Sequence, residues 1–394
     1  MNFDPAVATQ AWMATLDGAA RARSDAYFEG GYWLLLWNAV VAVIANLAIL
    51  RLGWAARISA WARRTTPRPW LQSFLFAVPY LLLATLLVLP FTIYTDFIRE
   101  HRYGLSNQSL AAWAGEAAIA VGISTAMLSL LFIGIHAAIR RAPATWWAGG
   151  AALTIAGLTV AIAVAPILVE PLFNTYTPLP AGPVRAAVLS MARANGVPAD
   201  NVYLVDASRQ SNRISANVAG LFGTTRIALN DNLMKQPIDQ IRAVMAHELG
   251  HYVLNHVWKF LLAITLVTGL AFVIMARALP LLLARFGPRW QVTHLGDPAI
   301  LPVAMIVLSV LTLLLAPVLN TLIRTQEIEA DRFGLNTARA PESFAAIAMM
   351  LSQYRKIEPG PIEEAVFFDH PSGHTRVLTA MRWKAEHLNE PDVR

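Results

Sequence analysis

The sequence contains no cysteine among its 394 residues, which excludes disulfides, thiolate metal ligands and a cysteine nucleophile. Charged residues are also scarce, at 14% of the chain against about 25% in soluble domains. Only 4 of the 31 basic residues are lysine, and the other 27 are arginine. These arginines form no basic stripe with interleaved aromatic residues, which argues against nucleic acid as a partner.

Hydrophobic residues make up 56% of the chain and give a mean hydropathy of +0.48, which is typical of a protein in contact with a lipid bilayer. A membrane span needs about 20 apolar residues. Six stretches meet this requirement, at about 32–50, 71–95, 111–139, 146–170, 257–279 and 299–323. The sequence therefore predicts a mainly α-helical, multi-pass transmembrane protein.

The ionisable residues are concentrated in two polar segments, at about 172–256 and 324–394, where we expect the chemistry to lie. We divide the chain into an N-terminal membrane region with four spans, residues 1–171, and a second region, residues 172–394. The fifth and sixth spans interrupt this second region.

Arginine-rich loops indicate how the chain is oriented. The loop at 51–70 contains five arginines and no acid, and the loops after the third and fifth spans carry two arginines each. In a six-span protein these three loops share one side of the membrane. Because basic loops favour the cytoplasm, the arginines predict that both polar segments lie outside the cytosol.

Two ionisable residues, Glu116 and His136, lie within the third span. Such residues normally face a cavity or a partner rather than lipid. We expect one or both to face a water-filled interior, and the alternative is a position at the wet end of the span.

A metal-binding motif, His247-Glu248-Leu249-Gly250-His251, follows apolar residues at helical spacing. Four residues advance a helix by about 400°, so the two histidines share one face and suit a single zinc. Glu248 is offset by about 100° and would act as the general base on a zinc-activated water. Gly250 costs about 1 kcal/mol inside a helix, which indicates that a small residue is required there. The alternative is a chance match, because the pattern fixes only three positions.

A third zinc ligand is expected in the stretch Arg324–Arg332, just after the sixth span. Glu327 and Asp331 lie four residues apart and share a helical face. We predict that Glu327 binds the metal and that Asp331 fixes the free ring nitrogen of a ligand histidine. Glu329 points elsewhere and is interpreted as a solvated acid. Without the upstream motif, a solvated, salt-bridged helix would be the preferred interpretation.

A third cluster lies in the C-terminal tail, between Asp369 and Arg376. His370 and Arg376 are candidates to stabilise the negative charge that develops on the scissile carbonyl oxygen, and His374 is a weaker candidate. By spacing alone the cluster is a weak signal. His256 and His101 are interpreted as bystanders.

These motifs, in this order, resemble those of the CAAX prenyl protease type I family of integral-membrane zinc metallopeptidases, over about residues 71–385. The resemblance rests on HELGH, on Glu327-x-x-Ala330-Asp331 after the next span, and on His370-Pro371 with Arg376. A fourth motif, between Phe91 and Asn107, is similar to the family's Tyr-x-x-Phe-x-Ile-Glu and Gly-Phe-Asn signature.

The resemblance implies a chamber-forming helical membrane protein with a zincin-like protease domain that contains a small β-sheet. It implies one Zn²⁺ per chain, held by His247, His251 and Glu327. Glu248 would be the general base, and Asp331 would lie behind the ligands. His370 and Arg376 would stabilise the oxyanion. It also implies an edge strand that pairs with an extended substrate, at Ser215, Ala216, Asn217, Val218 and Gly220. The segment Val218–Asp231, with Ile227 and Leu229, fits that strand by its β-branched and apolar residues.

The sequence departs from the family in three respects. The family's Asn-Ala before the strand reads Ser215-Ala216-Asn217 here, which puts an asparagine contact to substrate in doubt. The eukaryotic members have seven spans, whereas six are predicted here. Their catalytic face is cytosolic, which is opposite to the side that the arginine loops predict.

The implied substrate is a C-terminally prenylated peptide that loses three residues. The high ratio of arginine to lysine is typical of a GC-rich bacterial genome, where such substrates are scarce, and it predicts a location in the bacterial inner membrane. A general quality-control protease for membrane proteins is therefore an alternative. A non-catalytic membrane conduit is a rival that predicts loss of a ligand or of the base, and the sequence has lost neither.

Overall fold

A computed structural model describes residues 3–16, 18–220, 225–390 and 393, which form a mainly helical protein. Within these ranges six helices are long and apolar enough to cross a membrane: Gly18–Arg51, Pro69–Arg102, Leu110–Arg141, Trp146–Leu172, His256–Trp290 and Ile300–Ala338. The six predicted spans and the multi-pass helical fold are confirmed. Each helix is longer than its predicted apolar stretch, because polar residues at its ends are also helical.

The α-helices are α1 (Pro5–Met13), α2 (Gly18–Arg51), α3 (Trp54–Thr65), α4 (Pro69–Thr92), α5 (Arg99–Arg102), α6 (Leu110–Arg141), α7 (Trp146–Val164), α8 (Pro183–Ala194), α9 (Ile238–Val253), α10 (His256–Trp290), α11 (Ile300–Ala338), α12 (Pro341–Leu351), α13 (Pro361–Phe367) and α14 (Gly373–Glu386). Two π-helical turns, Ile93–Ile98 and Ala165–Val169, extend α4 and α7. They lie just after Pro90 and around Pro166, where a missing N–H disturbs the helical hydrogen bonds.

The membrane helices share one apolar core, in which Ile49, Phe76, Tyr80 and Leu279 are almost fully buried. An apolar cavity of about 310 Å³ lies between α4, α6, α7, α10 and α11. The other two cores lie outside this bundle. One joins the sheet to α8 and α9, and the other joins α12 to α14 and α1.

A four-stranded sheet accompanies α9 in the order β1 (Tyr176–Pro178), β2 (Val202–Val205), β4 (Arg226–Asn230) and β3 (Ala216–Ala219). β2 and β4 are parallel, whereas β1 and β3 pair antiparallel with their neighbours. β3 is therefore an edge strand, and β4 is an inner strand with Ile227 and Leu229 fully buried. The prediction of an edge strand over Val218–Asp231 is wrong, because residues 227–229 pair with strands on both sides. Residues 221–224 of that segment lie outside the described residues.

The two ionisable residues of the third span have protein partners. Glu116 lies near the start of α6 and accepts hydrogen bonds from Gln108, Arg209 and Gln210 at 2.7 to 2.9 Å. This is the wet end of the span, as the alternative interpretation predicted. His136 is fully buried, with its Nδ1 2.8 Å from Ser73 Oγ and 2.6 Å from Arg140.

Candidate metal centre and active site

Helix α9 presents the HELGH motif from a fixed position, because its opposite face is buried. Ile241, Met245 and Leu249 have at most 1% of their surface exposed and pack in the core with the sheet and α8. His247 and His251 lie about 200° around the helix from this apolar face and one turn apart. They point towards α11, the last and longest helix of the membrane bundle.

Helices α9 and α11 approach each other closely at small residues. A methyl group added to Gly250 would lie 3.0 Å from Phe333 Cδ1 and 3.3 Å from Ala330 Cα. A methyl group added to Gly334 would lie 3.1 Å from the backbone nitrogen of His247. Both contacts are tighter than an ordinary van der Waals contact, which explains why a residue unfavourable in helices stands inside the motif.

The structure brings His247, His251 and Glu327 together, and their ligand atoms all lie within 4.8 Å of one another. The two Nε2 atoms are 3.1 Å apart, and Glu327 oxygens lie 3.2 Å from His247 Nε2 and 3.4 Å from His251 Nε2. A tetrahedral metal with nitrogen and oxygen ligands at about 2.0–2.1 Å separates its donors by about 3.3 Å. The three residues therefore fit one metal ion.

The charges around these three residues are strongly coupled. Burial lowers the pKa of His247, but its contacts with Asp331 and Glu327 outweigh burial and raise that pKa to about 10. Burial and the neighbouring His247 lower the pKa of His251 to about 4. The pKa of Glu327 is lowered because its contacts with His247 outweigh the effect of burial. The carboxylate is thus ionised and available to a cation.

Glu248 faces a cavity of about 520 Å³ that also borders His247 and Glu327. Burial disfavours the carboxylate form, and this raises the pKa of Glu248 to about 7. A carboxyl group with such a pKa can both take and return a proton near neutral pH.

Asp331 lies behind His247 and is itself held by Arg376. Asp331 Oδ1 is 2.8 Å from His247 Nδ1, on the side of the ring away from Glu327. Arg376 Nε donates to Asp331 Oδ2 at 2.9 Å, and a guanidinium Nη donates to Oδ1. Both side chains are buried, with 3% and 8% exposure. Arg376 also borders the cavity, but this pair of bonds directs its guanidinium to Asp331.

His370 borders the cavity beside Glu327. Its Nε2 lies 3.3 Å from Glu327 Oε2, and its Nδ1 lies 2.9 Å from Asp369 Oδ1. The ring is therefore oriented by one carboxylate while its other nitrogen faces the metal centre. The backbone N–H of His374 donates to the Ile357 carbonyl, and His374 does not line this cavity.

His256 was interpreted from the sequence as a bystander, and this interpretation is wrong. Its Nδ1 lies 2.9 Å from His251 Nδ1, and its Nε2 lies 3.1 Å from Glu329 Oε2. Lys259 donates to the same carboxylate. The helical pattern did not predict this contact. Helix α9 ends at Val253, and Asn255, which has a left-handed backbone conformation, interrupts the helix before His256.

The edge strand β3 runs past the cavity. Ser215 and Ala216 line the cavity, whereas Asn217 does not. Asn217 Oδ1 is buried and, within the described part of the chain, has no hydrogen-bond partner. Val218 pairs with Ile227, and Gly220 follows the strand with a φ of 125°. The shifted asparagine of this segment thus lies away from the cavity wall.

The membrane-edge motif, between Phe91 and Asn107, joins the helical bundle to the chain segment before β3. Glu100 accepts hydrogen bonds from Tyr27 at 2.6 Å and from Arg213 at 2.7 Å. The Asn107 side chain donates to the Ser208 carbonyl at 2.8 Å. This motif therefore fixes the loop before β3 against helix α2, and its residues do not contact the three clustered metal-site residues.

Comparison with known sequences indicates the same family as the sequence motifs. A model described as peptidase family M48 matches residues 178–384. A second, described as CAAX prenyl protease N-terminal with five membrane helices, matches residues 9–175. Over that range the described structure has four membrane-length helices and the shorter α3.

Several known proteins are similar to this chain over most of its length. Uncharacterized metalloprotease YhfN of Bacillus subtilis is 28% identical over 334 residues, which are 83% of this chain and 78% of that protein. A CAAX prenyl protease 1 homolog of Oryza sativa is 28% identical over 296 residues, 72% of this chain and 67% of that protein.

A solved structure shares the fold. The crystal structure of S. mikatae Ste24p superimposes with a TM-score of 0.77 at 21% identity, covering 93% of this chain and 89% of that one. The chain therefore belongs to peptidase family M48 and is a membrane-spanning metallopeptidase with a Ste24p-like fold.

Proposed function

We propose that the protein is a zinc endopeptidase and that His247, His251 and Glu327 hold one zinc ion per chain. The observation that carries this proposal is the convergence of three ligand atoms at tetrahedral spacing on the wall of a cavity. Two imidazoles and one carboxylate form a donor set typical of catalytic zinc, which keeps its fourth position open. Glu327 Oε2 is buried and has no well-aligned hydrogen bond to a described residue, as suits a metal ligand.

Zinc, when bound, supplies a Lewis acid that polarises a carbonyl group and lowers the pKa of water. Glu248 takes a proton from the attacking water as the new C–O bond forms, and it gives that proton to the amine as the C–N bond breaks. The proton is conserved over the cycle, so Glu248 returns to its carboxylate form. Burial raises the pKa of Glu248 and so favours the protonated form that delivers the proton to the amine.

His370 is assigned to the developing oxyanion, because its Nε2 faces the metal centre while Asp369 holds its other nitrogen. Arg376 is reassigned from the oxyanion to a positioning role. It holds Asp331, whose Oδ1 lies 2.8 Å from His247 Nδ1, so that Nε2 of the same ring is left to the metal.

His256 orients the second metal ligand, His251, in a similar way. When His251 binds metal through Nε2, its Nδ1 carries the proton and donates to His256 Nδ1. His256 then donates from Nε2 to Glu329, whose charge Lys259 balances. Each ligand histidine is thus oriented by a hydrogen-bonded pair of residues from outside helix α9.

The substrate is an extended peptide that adds to the exposed edge of β3, where backbone hydrogen bonds make recognition tolerant of side chains. Several relatives are named CAAX prenyl protease, which favours removal of the C-terminal tripeptide from a prenylated peptide. Clearance of membrane proteins without prenyl specificity is the second candidate, and the backbone-directed edge strand is the observation that favours it.

Hydrolysis of quenched fluorescent peptides by purified protein, with zinc quantified in the same sample, tests the proposal. We expect about one zinc per chain, and we expect Glu248→Gln to keep the zinc while activity falls by at least about 10²-fold. Glu358→Gln is the matched control, because Glu358 lies at the surface, where it pairs with Arg21. A zinc-loaded wild type that cleaves no peptide would refute the proposal.

Prenylated and unprenylated versions of one peptide separate the two candidate substrates. A prenyl protease cleaves the prenylated peptide much faster and removes three residues, which mass spectrometry identifies. Equal rates on both peptides would exclude prenyl specificity and leave the broader protease.

We place the protein in the bacterial inner membrane and, on family grounds, its catalytic face in the cytosol. The arginine loops favour the opposite side. Because the chain has no cysteine, single cysteines introduced at Arg193 and at Arg57 report the two faces by labelling with an impermeant thiol reagent. Labelling of position 193 in intact cells would reverse the orientation proposed here.

A further inference from the structure

Three arginines line the cavity beside the metal centre, and one of them has no partner among the described residues. Arg213 pairs with Glu100 at 2.7 Å, and Arg376 pairs with Asp331. Arg355 lines the same cavity, yet its guanidinium makes neither a hydrogen bond nor an ion pair with any described residue. The contact of Ser24 with residue 355 uses only the backbone carbonyl.

The surroundings of Arg355 leave its charge available to a ligand. Burial and the cation of nearby Arg376 lower the pKa of its guanidinium, whereas Tyr354, Asp369 and Glu327 act in the opposite direction. Asp369 is one of three acids that line the cavity, but its carboxylate contacts His370 and forms no ion pair with Arg355. The neighbouring Tyr354 likewise uses its hydroxyl in no hydrogen bond with a described residue. A half-buried cation without a protein partner is stabilised when an anion enters the cavity.

The edge strand indicates which end of a bound peptide reaches Arg355. Ile214, Ser215 and Ala216, at the start of β3, line the cavity together with Arg355. A peptide that pairs antiparallel with β3 runs in the opposite direction, so its C-terminal part lies beside the start of the strand. In this direction, a carboxylate in the C-terminal part of the peptide lies near the Arg355 guanidinium and is attracted to it. In the reverse direction, the N-terminal ammonium group would lie near the same guanidinium and would be repelled.

We propose that Arg355 binds a carboxylate of the substrate on the C-terminal side of the scissile bond. This inference rests on the proposed peptidase function. Guanidinium and carboxylate match as planar, two-point partners, so the contact fixes both the position and the direction of the peptide. The carboxylate comes either from the chain end or from an acidic side chain.

Cleavage of three matched peptides tests the proposal: one with a free C-terminal carboxylate, one with a C-terminal amide, and one amidated with a C-terminal aspartate. We expect kcat/KM of the wild type to favour a carboxylate-bearing peptide over the plain amide by about ten- to a hundredfold, mostly through KM. Arg355→Gln should abolish this preference, and Arg355→Lys should keep part of it.

Exposed Arg193 supplies the control, because Arg193→Gln removes one cation far from the cavity and should keep the full preference. If the free acid is favoured, the carboxylate is that of the chain end; if the amidated aspartate peptide is favoured, it is a side chain. An acid-to-amide ratio that is unchanged in Arg355→Gln would overturn the proposal.

Binding of the same peptides to the Glu248→Gln variant separates this inference from the peptidase function. Calorimetry on that variant needs no hydrolysis, and we expect the carboxylate-bearing peptide to bind about ten- to a hundredfold more tightly than the amide. The additional Arg355→Gln substitution should equalise the two affinities. An equal preference with and without Arg355 would show that the carboxylate binds elsewhere, for example to the metal.

Discussion

Replacing Gly334 by alanine would force apart the two helices that carry the metal-site residues. The added methyl group would lie 3.1 to 3.3 Å from the backbone nitrogen, Cα and Cβ of His247, so α9 or α11 must move by a few tenths of an ångström. Functional constellations must be held within about 0.5 Å of their productive geometry, so a shift of a few tenths of an ångström uses most of that margin. Alanine would otherwise stabilise the helix by about 1 kcal/mol relative to glycine. Stability and metal affinity are therefore expected to change differently.

We expect Gly334→Ala to weaken metal binding by about ten- to a hundredfold, similar to the loss of an outer contact to a ligand histidine. This corresponds to about 1.4 to 2.7 kcal/mol of binding free energy. Competition with a fluorescent chelator in detergent measures the affinity, and thermal unfolding with and without metal measures the stability.

The matched control is Gly115→Ala, because Gly115 is an exposed helical glycine with nothing within 4 Å of an added methyl group. It should bind metal like the wild type. If Gly334→Ala also binds metal like the wild type and unfolds at a higher temperature, the close approach of α9 and α11 does not fix the metal site.

Three further outcomes are expected. Asp331→Asn should lower metal affinity about ten- to a hundredfold, measured by chelator competition, because the acceptor for His247 loses its charge. His256→Phe should lower the affinity in the same assay by freeing the ring of His251, and unchanged affinity would contradict the assigned hydrogen bond. Because the pKa of His247 is raised to about 10, metal binding at neutral pH must displace a proton. Metal affinity should therefore rise about tenfold per pH unit between pH 7 and 9, and a flat profile would refute this.

The spans and the HELGH helix were predictable because their signals are local. Apolar runs of about 20 residues and a repeat of 3.6 residues depend on nearby sequence alone. The pairing of Glu327 with the motif was also predictable as a placement, because a continuous helix carries Glu327 and Asp331 on one face. Their roles as ligand and as support for a ligand stay predictions.

The remaining contacts depend on how distant elements meet. His256 reaches His251 only because the chain turns at Asn255, and no periodic pattern reports such a turn. The partner of Arg376 was missed because a buried acid 45 residues earlier competes with the expected oxyanion for the same guanidinium. Gly250 is the opposite case. Its unfavourable helix propensity predicted from the sequence that a small residue is required there, and the structure places Phe333 and Ala330 close to it.

Helix α11 runs unbroken through 39 residues, or about 58 Å, whereas the hydrocarbon layer is about 30 Å thick. One continuous helix, with Pro317 inside it, therefore joins the lipid to Glu327, while His247 and His251 belong to α9, which packs against the sheet. Helices respond to a thicker or thinner bilayer by changing their tilt. A tilt of α11 would displace the carboxylate relative to the two imidazoles, so the thickness of the surrounding membrane bears directly on the geometry of catalysis.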